Sequence, residues 1–294
     1  MDIRALLLGI VFAAMWSSAF ATARVIVAHA PPLASLSLRF LISGLIAVLI
    51  ARMLGQTWRL APQQARAVIL FGLCQNAVYL GLNFIAMQWV EASLAAIIAA
   101  SMPLIAATLA WAVFRERVAP LGILGLILGF AGVGLIMGTR LSGGADPLGV
   151  LLCLIGAAAL AVATLTVRGA STGGNLLMVV GLQMLVGSVT LGLVSALSET
   201  ISVTVTPAFL AAFAYQIFVP GLAATLIWFA LVGRIGSTRA STFHFLNPFF
   251  GVAIAAALLG EPIRPLDILG VLIAMAGILA VQLARSRPAP AEDT

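Results

Sequence analysis

Amide, imidazole and guanidinium groups are scarce inside the apolar runs of this chain, and their spacing is informative where they occur. The stretch STFHFLNP places His244 one helical turn before Pro248, with Asn247 beside the proline. An imidazole can carry a proton or meet a carboxylate near neutral pH. A histidine bonded to a neighbouring helix is the other reading, and both stay open. The stretch LCQNAVYLGLNF carries Gln75, Asn76, Tyr79 and Asn83 at spacings of three and four, so all four share one helix face. Amides facing hydrocarbon would go unsatisfied, so this face is expected to border a wet cavity. The stretch AYQIFVPGLAATLIWFA offers Tyr215, Gln216 and Trp228, and its Pro220-Gly221 pair should loosen a helix. Trp16 stands with Ser17 and Ser18 well inside the first apolar run, which suits a pocket or a core as well as an interface. Arg39, inside LASLSLRFLISG, can snorkel to an interface or meet an anionic substrate group. Arg24 is similar but nearer the rim of its run.

These groups suit binding better than bond-making. The chain has no Walker sequence, no H-E-x-x-H, no G-x-S-x-G and no metal-ligating cluster, and no cofactor is expected. No Asp or Glu lies in the middle of an apolar run, so a carboxylate proton relay is missing. Any ion coupling then falls to His244 or to a rim carboxylate such as Glu91, with downhill passage as the alternative.

The elements that must hold these residues follow from composition. Of 294 residues, 63% are hydrophobic and 8% charged, far from the balance of a soluble domain of this size, so lipid is the expected solvent. The net charge of +6 comes from 15 arginines without a single lysine, and they form no basic stripe, so nucleic acid is not an expected partner. Cys74 and Cys153 both lie in apolar runs and look like small buried hydrophobes. Ten runs are long enough to cross a membrane: 3–26, 33–54, 65–86, 92–113, 119–138, 147–168, 174–196, 209–232, 238–259 and 266–285. The first is read as an uncleaved span and not as a signal peptide. With the N-terminus inside, the cytoplasmic side collects Arg4, Arg52, Arg59, Arg66, Arg115, Arg117, Arg168, Arg234, Arg239, Arg285 and Arg287. The outer side keeps Arg24, Arg39, Arg140 and Arg264. This asymmetry places both termini in the cytoplasm.

The chain also repeats itself. Pro103, Glu116 and Pro120 recur as Pro248, Glu261 and Pro265, with Gly125 and Gly132 recurring as Gly270 and Gly277, all at an offset of 145 residues. Five spans per copy is odd, so residues 1–145 and 146–294 are expected to form two halves of opposite orientation, a construction used by alternating-access transporters. Pro120 and Pro265 fit a helix start. Glu116 and Glu261 fall in the turn just before, and a turn joining two packed helices is their simplest role. Pro103 and Pro248 lie inside the fourth and ninth spans, where each should break its helix beside protein or a wet path. Gly125 and Gly129 suit close packing, within the chain or against a second copy, leaving monomer and homodimer open.

The segments MPLIAATLAWAVFRERVAPLGILGLILGFAGVGLI and NPFFGVAIAAALLGEPIRPLDILGVLIAMAGILAV, with FAAMWSSAFATARVIVAHAPPLASLSLRFLISGLI at the start, resemble the EamA-type branch of the drug/metabolite transporter superfamily over nearly the whole chain. Within it the resemblance is nearest to bacterial export of aromatic amino acids, a branch that also handles the dication paraquat. The opening segment shares the family's tryptophan and arginine, here Trp16 and Arg39. The resemblance implies an all-α inner-membrane protein of ten spans with cytoplasmic ends. It implies a central cavity built by the third, fourth, eighth and ninth spans, and export of amino acids or similar metabolites. The lack of membrane carboxylates suits zwitterions or neutral solutes better than cations. Carriers of phosphorylated or nucleotide sugars, the rival in the same fold, need several deep basic residues. A lipid-modifying enzyme should show an Asp/His/Ser constellation, and none stands out.

Overall fold

A computed structural model describes residues 3–166 and 174–286. The chain is all-α, and ten of its helical stretches are long and apolar enough to cross a membrane. They run Ile3–Val27, Pro32–Met53, Pro62–Ala86, Ala92–Val113, Pro120–Ser142, Pro147–Leu165, Leu176–Ser198, Pro207–Ile235, Arg239–Leu259 and Pro265–Arg285. Six of them open on a proline, at Pro32, Pro62, Pro120, Pro147, Pro207 and Pro265. A proline there lacks only an N–H that would have been orphaned anyway, and its fixed φ is already helical. The chain ends and Arg168 and Arg287 lie outside the described residues.

The packing follows inverted repeats. The second span packs along the seventh, the fifth along the tenth, and the fourth against the ninth, each with its own counterpart. The first span packs on the eighth, and the third on the sixth, which is the same relationship seen from the other half. The first half of the fourth span, Ala92–Ala100, is buried at every residue and runs through the centre of the largest hydrophobic cluster.

Both internal prolines restart a helix. In the fourth span an α-helix ends at Ala100, and Ser101, whose hydroxyl donates to the Ile98 carbonyl at 2.6 Å, precedes a second helix, Met102–Phe114, with Pro103 in its first turn. In the ninth span a 3-10 turn, Thr242–Leu246, leads into the α-helix Asn247–Leu259, with Pro248 in its first turn. The two restarts, at Met102 and Asn247, are 145 residues apart. So are two π-helical segments, Gly72–Tyr79 in the third span and Ile217–Ala223 in the eighth, which begin at equivalent positions. Pro220 accounts for the second. No proline marks the first.

The glycines of the fifth and tenth spans face each other inside one chain. A Cβ on Gly132 would stand 2.5 Å from the Ala274 nitrogen, and one on Gly277 would stand 2.2 Å from the Gly129 nitrogen. Backbones this close leave no room for a side chain, so the glycine row is taken up within the monomer. The fifth span also runs to Ser142, four residues past the expected end at 138, and carries Arg140 inside the protein. Arg140 is 2% exposed and is held by the fully buried Asp267 through Nη2 at 2.7 Å and Nε at 3.3 Å. The sequence places Arg140 among the charges of the outer side, but it is buried in the protein. The mutual neutralisation of Arg140 and Asp267 is what lets the helix continue.

Candidate functional site

A cavity of about 540 Å³ enters the bundle from one face. Its mouth is at the end of the third and tenth spans that carries Gln64 and Arg285, and Arg285 is exposed. Its inner end stops under Met87, which is 1% exposed, with the fully buried Val90 beyond it.

The third span supplies the polar wall. Gln75, Asn76, Tyr79 and Asn83 all line the cavity. Three of the four lie on the π-helical stretch, whose wider turn sets their spacing. Asn76 donates to the Gln183 carbonyl of the seventh span at 2.9 Å, and the bare face of Gly187 gives that side chain its room. Asn83 donates to the Tyr79 carbonyl at 2.8 Å, one turn back in its own helix, while its buried Oδ1 meets no donor among the described residues.

The opposite wall comes from the eighth and second spans. Pro220 cannot offer the N–H that an α-helix would direct to the Gln216 carbonyl. That carbonyl accepts instead from Arg39 Nε of the second span at 3.2 Å. The Gln216 side chain donates to the Ala19 carbonyl at 2.6 Å and reaches Thr22 Oγ1 at 2.9 Å, tying the eighth span to the first.

Nearer the mouth, four rings from three spans pack together. The His244 imidazole lies 5.4 Å from Phe12, 5.6 Å from Trp16 and 5.4 Å from Trp228, edge-on to the first two. Its Nδ1 meets the Asn247 amide nitrogen at 3.0 Å. Trp16, Trp228 and His244 all border the cavity, so one side of this cluster is an aromatic surface open to a ligand.

Carboxylates close the other end, and they do so on main chain. Glu199 accepts from the N–H groups of Leu33 and Ala34 at 2.9 and 2.8 Å. Glu261 accepts from those of Ala92 and Ser93 at 2.7 and 3.0 Å. Each carboxylate thus covers the first turn of a span, where orphan donors and the helix dipole favour an anion. The sequence had placed Glu261 before the helix that follows it, but it caps the fourth span. Glu91, at the start of that same span, accepts from Arg140, and Arg24 donates to the Met87 carbonyl at the cavity floor.

Of the residues singled out by sequence, Trp16, Arg39, Gln75, Asn76, Tyr79, Asn83, Pro103, Trp228 and His244 border this one cavity. Tyr215 does not: its hydroxyl lies 2.8 Å from Ser18 Oγ, against the first span. Asn247 and Pro248 are buried and do not border the cavity, and Asn247 holds His244 through its amide. The cavity also draws on spans outside the expected set of third, fourth, eighth and ninth. The first contributes Trp16, the second Arg39, the sixth Thr164, the seventh Gln183 and the tenth Gln282. Gln183 was missed because it is a lone polar residue in an apolar run, and Gln282 and Arg285, though three apart, read as the polar end of the last span. No group of three potential metal ligands occurs among the described residues.

The profile of the EamA-like transporter family matches this chain twice, over residues 3–138 and again over 147–283. Among curated proteins, the chain is 27% identical over 270 residues to the uncharacterized transporter YvbV of Bacillus subtilis, covering 91% of this chain and 88% of that one. It is 26% identical over 281 residues to the uncharacterized inner membrane transporter YedA of Escherichia coli, covering 92% and 88%. A protein known from its crystal structure shares the fold with a TM-score of 0.70 at 20% identity, over 97% of this chain and 99% of the other. The two family matches fall on either side of the loop between the fifth and sixth spans, and together they span nearly all the helices described above, so the chain belongs to the EamA-like transporter family.

Proposed function

We propose that this membrane transporter carries neutral amino acids, aromatic ones included, out of the cytoplasm through the cavity described above. One observation carries the reading: amides and aromatic rings converge on the cavity, and no carboxylate lines it among the described residues. The amides of Gln75 and Asn76 can meet the ammonium and carboxylate of a zwitterion. Trp16, Trp228 and the His244 edge can bury a large side chain. An apolar wall separates ligands differing by one methylene by only about 1–3 kcal/mol, so the range should be broad. A dication would find no counter-charge here.

The protein is assigned to the bacterial inner membrane with both termini in the cytoplasm, as the arginine asymmetry argues. With that orientation the two halves, divided near residue 145, supply the two sides of an alternating-access cycle, and the mouth at Gln64 and Arg285 is the cytoplasmic one. Tags fused before residue 1 and after residue 294 should both be reached only from the cytosolic side.

The deciding measurement is uptake by proteoliposomes across a panel of neutral, acidic and basic amino acids, with and without a pH gradient. Phenylalanine, tyrosine, tryptophan and smaller neutral amino acids are expected to pass. Passage of phosphorylated sugars with none of the neutral amino acids would overturn the reading. That rival has little to work with, since Arg39 and Arg285 are the basic side chains bordering the cavity among the described residues.

A further inference from the structure

Arg39 is a buried cation without a counter-ion among the described residues. It is 5% exposed and borders the cavity. Its Nε donates to the Gln216 carbonyl at 3.2 Å, and its guanidinium carbon lies 4.9 Å from the centre of the Phe40 ring. Neither Nη1 nor Nη2 has an acceptor among the described residues. The carboxylates of the neighbouring spans are already committed. Glu199 is held by Leu33 and Ala34, Glu261 by Ala92 and Ser93, and Glu91 and Asp267 by Arg140. A guanidinium taken out of water with no anion beside it is expensive, and ring contact offsets only part of that.

Three features beside Arg39 share its unfinished state. Ser43, one turn further along the same helix face, is fully buried, and its Oγ has no partner among the described residues. Gly221, in the opened stretch of the eighth span, faces both. A Cβ there would stand 3.2 Å from Ser43 Oγ and 3.8 Å from Arg39 Nη2. Gly221 thus packs its bare backbone closely on Ser43, which is shut off from the cavity, while the Arg39 guanidinium borders it. Pro220 opens the backbone at this level and frees the Gln216 carbonyl that fixes the guanidinium plane through Nε, leaving the other edge of the fork to the cavity.

We propose that the Nη edge of Arg39 facing the cavity is a subsite for a monovalent anionic group, filled by the carboxylate of the transported molecule. The inference rests on the cavity being the substrate path and names the group the substrate must bring to its inner end. A carboxylate matches the planar fork. With the charged end at Arg39, the substrate's side chain is directed toward the aromatic surface of Trp16 and Trp228 nearer the mouth. A free halide such as chloride has the same charge and is the other source of an anion there.

The test uses the purified full-length protein in a gluconate medium and reads the fluorescence of the tryptophans, two of which border the cavity. Phenylpropionate, which keeps the ring and carboxylate, is titrated against phenethylamine, which keeps the ring and the amine. Phenylpropionate should bind at least about tenfold more tightly, and Arg39→Gln should remove that preference. Arg39→Lys, which keeps the charge and loses the fork, should weaken phenylpropionate by a few-fold and leave phenethylamine unaffected, which covers the case in which Arg39→Gln fails to fold. Competition by added chloride, lost in Arg39→Gln, identifies a site open to a bulk ion. An absence of competition restricts it to carboxylates. Equal binding of the acid and the amine, unchanged binding of the acid in Arg39→Gln, or no binding of any carboxylate or of chloride would overturn the subsite. Arg39-dependent binding of phenylpropionate by a protein that ignores phenylalanine would sink the amino-acid reading alone. Phenylalanine transport undiminished in Arg39→Gln would sink the subsite alone.

Discussion

The Nδ1 atom of His244 sits 3.0 Å from the side-chain nitrogen of Asn247, so the residue that opens the ninth span's second helix also orients the imidazole bordering the cavity. The ring is gripped from the other side by Phe12, Trp16 and Trp228. His244→Ala should therefore lower transport by removing one wall of the aromatic surface. Asn247→Ala should lower it less, by freeing the ring to turn. A double-mutant cycle on transport rate should show a coupling of about 1 kcal/mol, the net worth of one hydrogen bond. Strict additivity would mean that Asn247 acts independently of the imidazole.

The interlocked fifth and tenth spans predict a position-specific response to bulk. A Cβ on Gly277 would sit 2.2 Å from a backbone nitrogen, whereas Gly134 and Gly138 of the same fifth span have open space around theirs. Gly277→Val and Gly132→Val should each destabilise by about 1–3 kcal/mol or more, through forced separation of the helices. Gly134→Ala and Gly138→Ala should be neutral or slightly stabilising, because alanine is the better helix former. Thermal unfolding in detergent separates the two groups, and similar losses at all four positions would contradict the packing.

Arg140 and Asp267 are buried together, and breaking such a pair costs more than deleting it. Asp267→Asn leaves a guanidinium that is 2% exposed with only the half-buried Glu91 to oppose it, and should cost about 3–5 kcal/mol. Glu91→Gln, with its side chain 37% exposed, should cost about 1 kcal/mol or less. The paired change Arg140→Met with Asp267→Leu should be milder than Asp267→Asn. Melting temperatures for the three variants test the order, and a Glu91 effect as large as that of Asp267 would reverse it.

The fourth and ninth spans end in the same left-handed conformation with different residues. Gly260 adopts φ 67° without strain, while its counterpart Arg115 adopts φ 54° with a side chain attached. A side chain in that region costs about 1 kcal/mol. Arg115→Gly should raise stability by about that amount, and Gly260→Ala should lower it. An Arg115→Gly variant that melts earlier would show that the arginine side chain contributes more than the backbone strain removes.

How much of this was legible depended on how far apart the partners lie. The ten spans, the restarts at Pro103 and Pro248 and the polar face of the third span are properties of residues close in sequence, where periodicity and missing N–H groups act directly. The π-helical stretch at Gly72–Tyr79 has no proline to announce it and is set by packing against the sixth and seventh spans. Arg140 read as a loop charge because Asp267, which makes its burial possible, is 127 residues away. Glu261 read as part of a local turn because the N–H groups it serves, on Ala92 and Ser93, belong to another helix. Gln183 gave no signal, since what it offers Asn76 is a backbone carbonyl.

The seal under Met87 depends on carboxylates that hold main-chain N–H groups, and this makes it indifferent to side-chain identity at the positions held. At Leu33, Ala34, Ala92 and Ser93 the bond to Glu199 or Glu261 does not depend on the side chain, since every residue but one presents the same donor. The exception is proline, which is ordinarily welcome in the first turn of a helix. The second span already opens on Pro32, and Glu199 reaches past it to the next two residues. At Ala92 or Ser93 the same residue would leave the helix intact and remove a donor from Glu261. Packing still limits size at the buried Leu33, Ala92 and Ser93, but the carboxylate caps add a separate constraint, an exclusion of proline that no hydrophobicity or size scale would foresee.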